Sequence, residues 1–180
     1  TKNGLLENKV RKLFYFKNKI YVGSIQGISI IDIKTNKLVS PKVPPHKDDF
    51  ICISFFEYKG EVYFATIFDG LFKIDESDSF PKIIPIFLHK KTYGSALYGS
   101  TLYSSNEGFI DKMNINTLLK GDFSSVKFGK SMVWQYAKDK NNTIFASAWG
   151  VYTPDGGLYT IENDKMMDVS NHFGIDSKIL

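Results

Sequence analysis

KIYVGSIQGISIID, from Lys19 to Asp32, is the stretch whose reading decides the fold. It reads as a short strand, a tight turn ending in Gly27, and a second strand that alternates before the polar run Asp32 to Lys37. The pattern returns as EVYFATIFDGLFKID (Glu61 to Asp75), TLYSSNEGFIDKM (Thr101 to Met113) and TIFASAWGVYTPDGGLYTI (Thr143 to Ile161). Its middle-strand aromatics Tyr21, Tyr63, Tyr103 and Phe145 are spaced by 42, 40 and 42 residues. That period matches the roughly 40–45 residues of a propeller blade. The glycines that open each third strand, Gly27, Gly70, Gly108 and Gly157, are spaced by 43, 38 and 49 residues. The last interval is longer because the fourth copy carries an insertion, Trp149 to Asp155.

Outward from these cores, each copy gains a strand before and a strand after. The expected fold is all-β, a β-propeller of four-stranded antiparallel blades at 1–39, 50–88, 95–124 and 132–167, with 168–180 starting a further unit. About four and a half blades would then make part of a larger ring. The run SPKVPPHKDD, Ser40 to Asp49, holds three prolines and reads as a crossover, since proline cannot sit inside a sheet. Alternation supplies each sheet with two apolar faces, which a lone sheet cannot bury and stacked neighbours can. Gly23, Ala65, Ser104 and Ala146 are small residues placed where neighbouring blades approach. No helical period competes with the strand reading.

Composition narrows the function classes. Hydrophobic residues make up 43% and charged residues 23%, which is ordinary for a folded domain. The net charge of +4 comes from lysines, with Arg11 the single arginine and no long basic run, so a nucleic-acid interface has little support. No run approaches the ~18 apolar residues of a membrane span. Cys52 stands alone in FICISFF and reads as a small core residue. The opening TKNGLLENK is polar and lacks Met, as in a mature or excised segment.

The repeats resemble the two-component regulator propeller repeat, found in the extracytoplasmic sensor region of hybrid histidine kinases of Bacteroides-type bacteria. VWQYAKDKNNTIFASAWG (Val133 to Gly150) with GGLYTIENDK (Gly156 to Lys165) is the nearest copy. YVGSIQGISIIDIKTNKL (Tyr21 to Leu38) and YFATIFDGLFKID (Tyr63 to Asp75) match the latter half of the repeat. The resemblance implies a seven-bladed propeller in the periplasm, part of an inner-membrane protein with a histidine kinase beyond this segment. It also implies a non-catalytic role in perceiving glycan-derived ligands, with transmission through dimerisation. An interaction scaffold is the alternative, and a propeller lyase or hydrolase a third reading.

The chemistry of the side chains agrees with a non-enzyme that needs no cofactor. His46, His89 and His172 are isolated, so no metal site is expected, and no nucleophile elbow or phosphate loop is present. Asp32, Asp75 and Asp111 recur near the end of the third strand and read as turn caps. The ligand rim expected from the loops comprises Trp149, Tyr152, Asp155, Phe68, Asp69 and Glu107, with His46, Lys91 and Tyr93 on crossovers. Trp149 offers a ring for stacking a sugar or anchoring a peptide, or else covers its own blade, whereas Trp134 reads as inter-blade core. The expected partners are an oligosaccharide or other small ligand and a second copy of the chain.

Overall fold

The structure, a computed structural model, describes residues 4–44, 50–87, 91–106, 108–118, 123–127, 132–149 and 156–175. Among them are four four-stranded antiparallel sheets of the propeller-blade kind. The first contains β1 (Val10–Phe16), β2 (Lys19–Ser24), β3 (Ile28–Asp32) and β4 (Lys37–Val39). The second contains β5 (Cys52–Tyr58), β6 (Glu61–Thr66), β7 (Gly70–Asp75) and β8 (Lys82–Phe87). The third contains β9 (Ser95–Tyr98), β10 (Thr101–Asn106), β11 (Phe109–Asn114) and β12 (Phe123–Lys127). The fourth contains β13 (Met132–Lys138), β14 (Ile144–Trp149), β15 (Gly157–Glu162) and β16 (Lys165–Asp168). They divide into two units, Thr1–Lys91 with the first two sheets and Thr92–Leu180 with the last two.

Local chemistry explains the hairpins. Lys17 and Asn18 (φ 47° and 62°), Lys59 and Gly60 (51° and 82°), and Asn163 and Asp164 (48° and 60°) are paired left-handed residues. Two consecutive positive φ values match the twist of flanking strands in a two-residue hairpin, which is why asparagine and glycine recur there. Ser24 and Thr66 end β2 and β6 and close the next turn alike. Each hydroxyl accepts an N–H from its turn, Gln26 at 3.3 Å and Asp69 at 3.0 Å, and donates to the carbonyl of Gly27 or Gly70.

In the first unit one face of the first sheet packs on the second sheet. Tyr21, Ile28, Phe50, Cys52, Phe64 and Phe72 are at most 1% exposed there. Each such side chain contributes about 1.5–3 kcal/mol when fully buried. Phe14 stacks on Phe55 at 6.1 Å, and Tyr21 meets the same ring at 6.2 Å. At the edge of this joint Glu76 accepts the Tyr21 hydroxyl at 2.8 Å and pairs with Lys19 at 2.6 Å. The closest approach is at Gly23, where an added Cβ would stand 2.6 Å from Cys52 Sγ.

The second unit repeats the joint with different residues. Tyr103 meets Tyr136 at 6.1 Å above a smaller core of Ile110, Val133, Ala146, Ala148 and Tyr159. Ser105 takes the place of Gly23; its hydroxyl donates to the Val133 carbonyl and accepts the Gly94 N–H at 3.2 Å. Lys112 pairs with Asp164 of the neighbouring sheet, as Lys19 pairs with Glu76 in the first unit.

The further unit expected from 168 onward shows no strand of its own within residues 168–175, and 176–180 lie outside the described residues. Asp168 closes β16, and Ser170–Phe173 is a 3-10 turn held on β15. The Val169 N–H donates to the Leu158 carbonyl at 2.9 Å, and the Leu158 N–H donates to Ser170 Oγ at 2.9 Å. The described residues therefore carry four sheets and no start of a fifth, and no seven-bladed ring is seen among them.

Close backbone approach makes one glycine more demanding than the others. A Cβ at Gly94 would lie 2.5 Å from the Trp134 carbonyl oxygen, which cannot swing aside. Gly94→Ala is expected to cost about 3 kcal/mol, at the upper end for overpacking, and Gly23→Ala about 1–3 kcal/mol. Gly99→Ala, with φ 62° and open space around it, should cost only about 1–2 kcal/mol. Urea melts of the three variants check the order.

Alkaline titration gives a second test. Burial, reinforced by the charge and hydrogen bond of Glu61, pushes the Tyr63 phenol from 10.0 to about 12. Burial and then Glu76 raise Tyr21 further. The unfolded chain thus loses these protons first, so this stability is complete below about pH 10 and falls as pH rises toward 12. Phenolate absorbance should lag behind that of free tyrosine until unfolding releases it.

Candidate functional site

The first strand of each sheet carries an irregularity at the same place. Registers shift between Val10 and Lys12, between Cys52 and Ser54, and between Val133 and Gln135. Before β9, Ser105 donates its N–H to the Gly94 carbonyl while its own carbonyl accepts the Tyr93 N–H, so two residues face one. The extra residues are Arg11, Ile53, Tyr93 and Trp134. A bulge re-aims the side chain it carries. In the second unit this turns Tyr93 and Trp134 toward each other, with ring centres 5.7 Å apart and planes at 61°.

Trp134 also meets Trp149, again at 5.7 Å and nearly edge-to-face at 73°. Trp134, Ser147, Ala148 and Trp149 line an open cavity of about 470 Å³. Its walls are apolar, and Trp149 keeps 38% of its surface exposed. Trp134 Nε1 is buried and has no hydrogen-bond partner among the described residues. A buried donor without a partner costs about 1–3 kcal/mol. Edge-to-face indoles on an apolar wall suit a flat ligand.

Trp134 was expected in the inter-blade core; it is half-buried, packs on Tyr93 beside the preceding sheet and also lines the cavity wall. The reason is the bulge, which shifts it out of the strand's alternation. Its signal in the sequence was its equivalence to Tyr93, already counted as a rim residue. Trp149 was expected at the start of an insertion but is the last residue of β14, paired with Met132. The cavity gathers Trp149, with Tyr93 behind Trp134. Phe68, 38% exposed, and Asp69 lie in the first unit after β6, and Lys91 is exposed. His46, Glu107, Tyr152 and Asp155 lie outside the described residues.

The recurring acids divide. Asp32 accepts the Thr35 N–H at 2.8 Å and Asp75 the Ser77 N–H at 3.0 Å, and these bonds hold both carboxyls below the ordinary range. Asp111 is not a turn cap, contrary to expectation. It is 2% exposed and accepts bonds from Asn106 Nδ2 at 3.1 Å and from the Ser125 hydroxyl. The register explains the difference: Asp32 pairs with Lys19 at the start of β2, and the residue that pairs with the start of β10 is Asn114. Asn114 does the capping, accepting the Asn116 N–H at 2.9 Å. Gly27, Gly70, Gly108 and Gly157 all have positive φ, from 77° to 146°, which a side chain would strain.

Among the described residues no group of three or more His, Cys, Asp or Glu side chains could hold a metal ion. Nor is any helix there long and apolar enough to cross a membrane.

No family model matches the chain, and no curated protein does. Solved structures do. The extracellular domain of BT4673 from B. thetaiotaomicron, described as a hybrid two-component system, is 18% identical with a TM-score of 0.70; the match covers 90% of this chain and 22% of that one. The corresponding domain of BT3049 from the same organism is 13% identical with a TM-score of 0.70, covering 91% and 24%. The computationally designed protein Ika4 is 16% identical with a TM-score of 0.61, covering 86% and 91%. The chain thus spans under a quarter of the two natural domains it matches. The likeness is distant and partial, and at these identities it is a likeness of fold.

Cys52 is fully buried, and burial pushes its thiol well above the ordinary range. A buried, protonated thiol is a poor nucleophile. Alkylation of the folded chain at neutral pH should therefore be negligible, and should become complete in denaturant; mass spectrometry checks both.

Proposed function

We propose that this chain is part of the extracytoplasmic sensing region of a bacterial two-component signalling protein and binds its ligand without chemistry. The observation that carries the reading is the edge-to-face Trp134–Trp149 pair on an open apolar cavity. The distant likeness to extracellular domains of B. thetaiotaomicron signalling proteins supports the setting. The proposed ligand is a glycan-derived oligosaccharide. A sugar ring presents an apolar C–H face that can lie against an indole. Tyr93 backs Trp134 and holds it in place. The periplasm is the proposed compartment, with a membrane segment and a histidine kinase lying beyond this chain.

A second reading, an interaction scaffold, is favoured by a separate observation. Ser147 occupies on β14 the place that Gly23 holds on β2 and Ser105 on β10, and both of those receive a neighbouring sheet. The same face therefore suits a protein partner.

Both tryptophans of the chain line the cavity, so intrinsic fluorescence reports on it directly. Titration with an oligosaccharide panel should shift or quench the emission and raise the melting temperature for at least one member. Trp149→Ala should weaken that binding at least about tenfold, equivalent to about 1.4 kcal/mol. No response to any glycan in the panel would overturn the sugar reading.

A further inference from the structure

The turn that joins β13 to β14 carries side chains that its own folding does not use. Asp139 closes this turn. Its Oδ1 accepts the Asn141 N–H and the Thr143 N–H, both at 2.8 Å. Its backbone N–H donates to the Thr143 carbonyl at 3.0 Å, and its carbonyl accepts the Asn142 N–H at 3.2 Å. Asn142 then leads into β14 through a left-handed φ of 68°. One carboxylate and one left-handed residue therefore satisfy the whole connection.

Asn141 and Thr143 enter it through their backbones alone. The Asn141 side chain is exposed, and neither its carboxamide nor the Thr143 hydroxyl makes a hydrogen bond. The asparagines of the other hairpin turns are accounted for. Asn18, Asn36 and Asn163 hold φ values of 62°, 54° and 48°, a region in which asparagine is enriched, and Asn116 donates its Nδ2 to Asn114. Asn141 does neither.

Asn141-Asn142-Thr143 is also the single Asn-x-Ser/Thr sequence in the 180 residues. In that pattern the asparagine carboxamide is the acceptor of an oligosaccharide, and the site has to stand on the surface of an exported chain. A three-residue pattern recurs by chance. What distinguishes this copy is its place at an exposed hairpin tip, with both of its chemically necessary side chains unengaged.

We propose that Asn141 is a site of N-linked glycosylation, modified by an oligosaccharyltransferase that draws on a lipid-diphosphate-linked oligosaccharide. Asn141 Nδ2 attacks the anomeric carbon of the carrier-bound sugar. The bond from that carbon to the phosphate oxygen breaks as the bond to nitrogen forms. The lipid diphosphate leaves, and one Nδ2 proton passes to a base of the transferase. The extracytoplasmic compartment is that of the proposed function, but the acceptor chemistry is independent of any ligand at Trp149. Met132 pairs with Trp149 at one end of the β13–β14 hairpin and Lys138 with Ile144 at the other. At ~3.3 Å per residue the attached glycan starts roughly 20 Å from the indole pair and leaves the cavity open.

The test exports the full chain to the periplasm of a bacterium supplied with an oligosaccharyltransferase and a lipid-diphosphate-linked oligosaccharide of known mass. Intact mass should rise by one oligosaccharide, and tandem mass spectrometry should place it on Asn141. Asn141→Gln and Thr143→Ala should lose the modification with unchanged circular dichroism. Thr143→Ser, which restores a hydroxyl, should retain it, as should Asn142→Gly, which keeps both the pattern and the left-handed position. An unmodified chain in cells that modify a control acceptor would overturn the proposal, and so would a glycan attached elsewhere or an Asn141→Gln variant modified like the wild type. Oligosaccharide titration of the Asn141→Gln variant, followed by tryptophan emission, reads the ligand hypothesis separately.

Discussion

The structure depends on how closely one sheet can approach the first strand of the next. In the first unit the contact is made by a residue with no side chain, Gly23 against Cys52. In the second, Ser105 bridges the gap with its hydroxyl on the Val133 carbonyl, and Gly94 lies directly against the Trp134 backbone. Bulk at these points would separate the sheets and expose both apolar faces, since a single twisted sheet has no other way to bury them. The aromatics surrounding each contact then fill what the close approach leaves, Phe14, Tyr21 and Phe55 in one joint and Tyr98, Tyr103 and Tyr136 in the other.

That arrangement also decides which titratable groups have chemistry to offer. The groups moved furthest from their ordinary values are the buried thiol of Cys52 and the phenols of Tyr21 and Tyr136, all shifted toward the neutral form by burial. Neutral, enclosed groups pack; they do not attack or transfer protons at neutral pH. The surface carboxylates move the other way, because turn N–H groups hold them charged. The aromatic surface left exposed among the described residues is at Tyr15, Phe68, Phe80, Phe109, Trp149 and Phe173.

A bulge links architecture to recognition here. At Ile53 the extra residue is absorbed into the core at 4% exposure, whereas at Trp134 it forms the wall of a cavity. The backbone irregularity is shared, and what differs is how far the side chain it carries is buried.

Much of this was legible in the residues. The even spacing of Tyr21, Tyr63, Tyr103 and Phe145 located the second strands, because a blade has to repeat its length to stack. Gly27, Gly70, Gly108 and Gly157 marked the third strands, because their positive φ excludes most other residues. Asp111 was misread because pattern alone cannot tell the end of a strand from a position three residues inside it; hydrogen-bond register can. That Trp134 also lines a cavity was not legible, because a bulge leaves no mark in composition. Local spacing and turn chemistry thus determined the blades in the sequence itself. Which aromatics are covered and which are left exposed depends on contacts between sheets, and only the tertiary structure decided that.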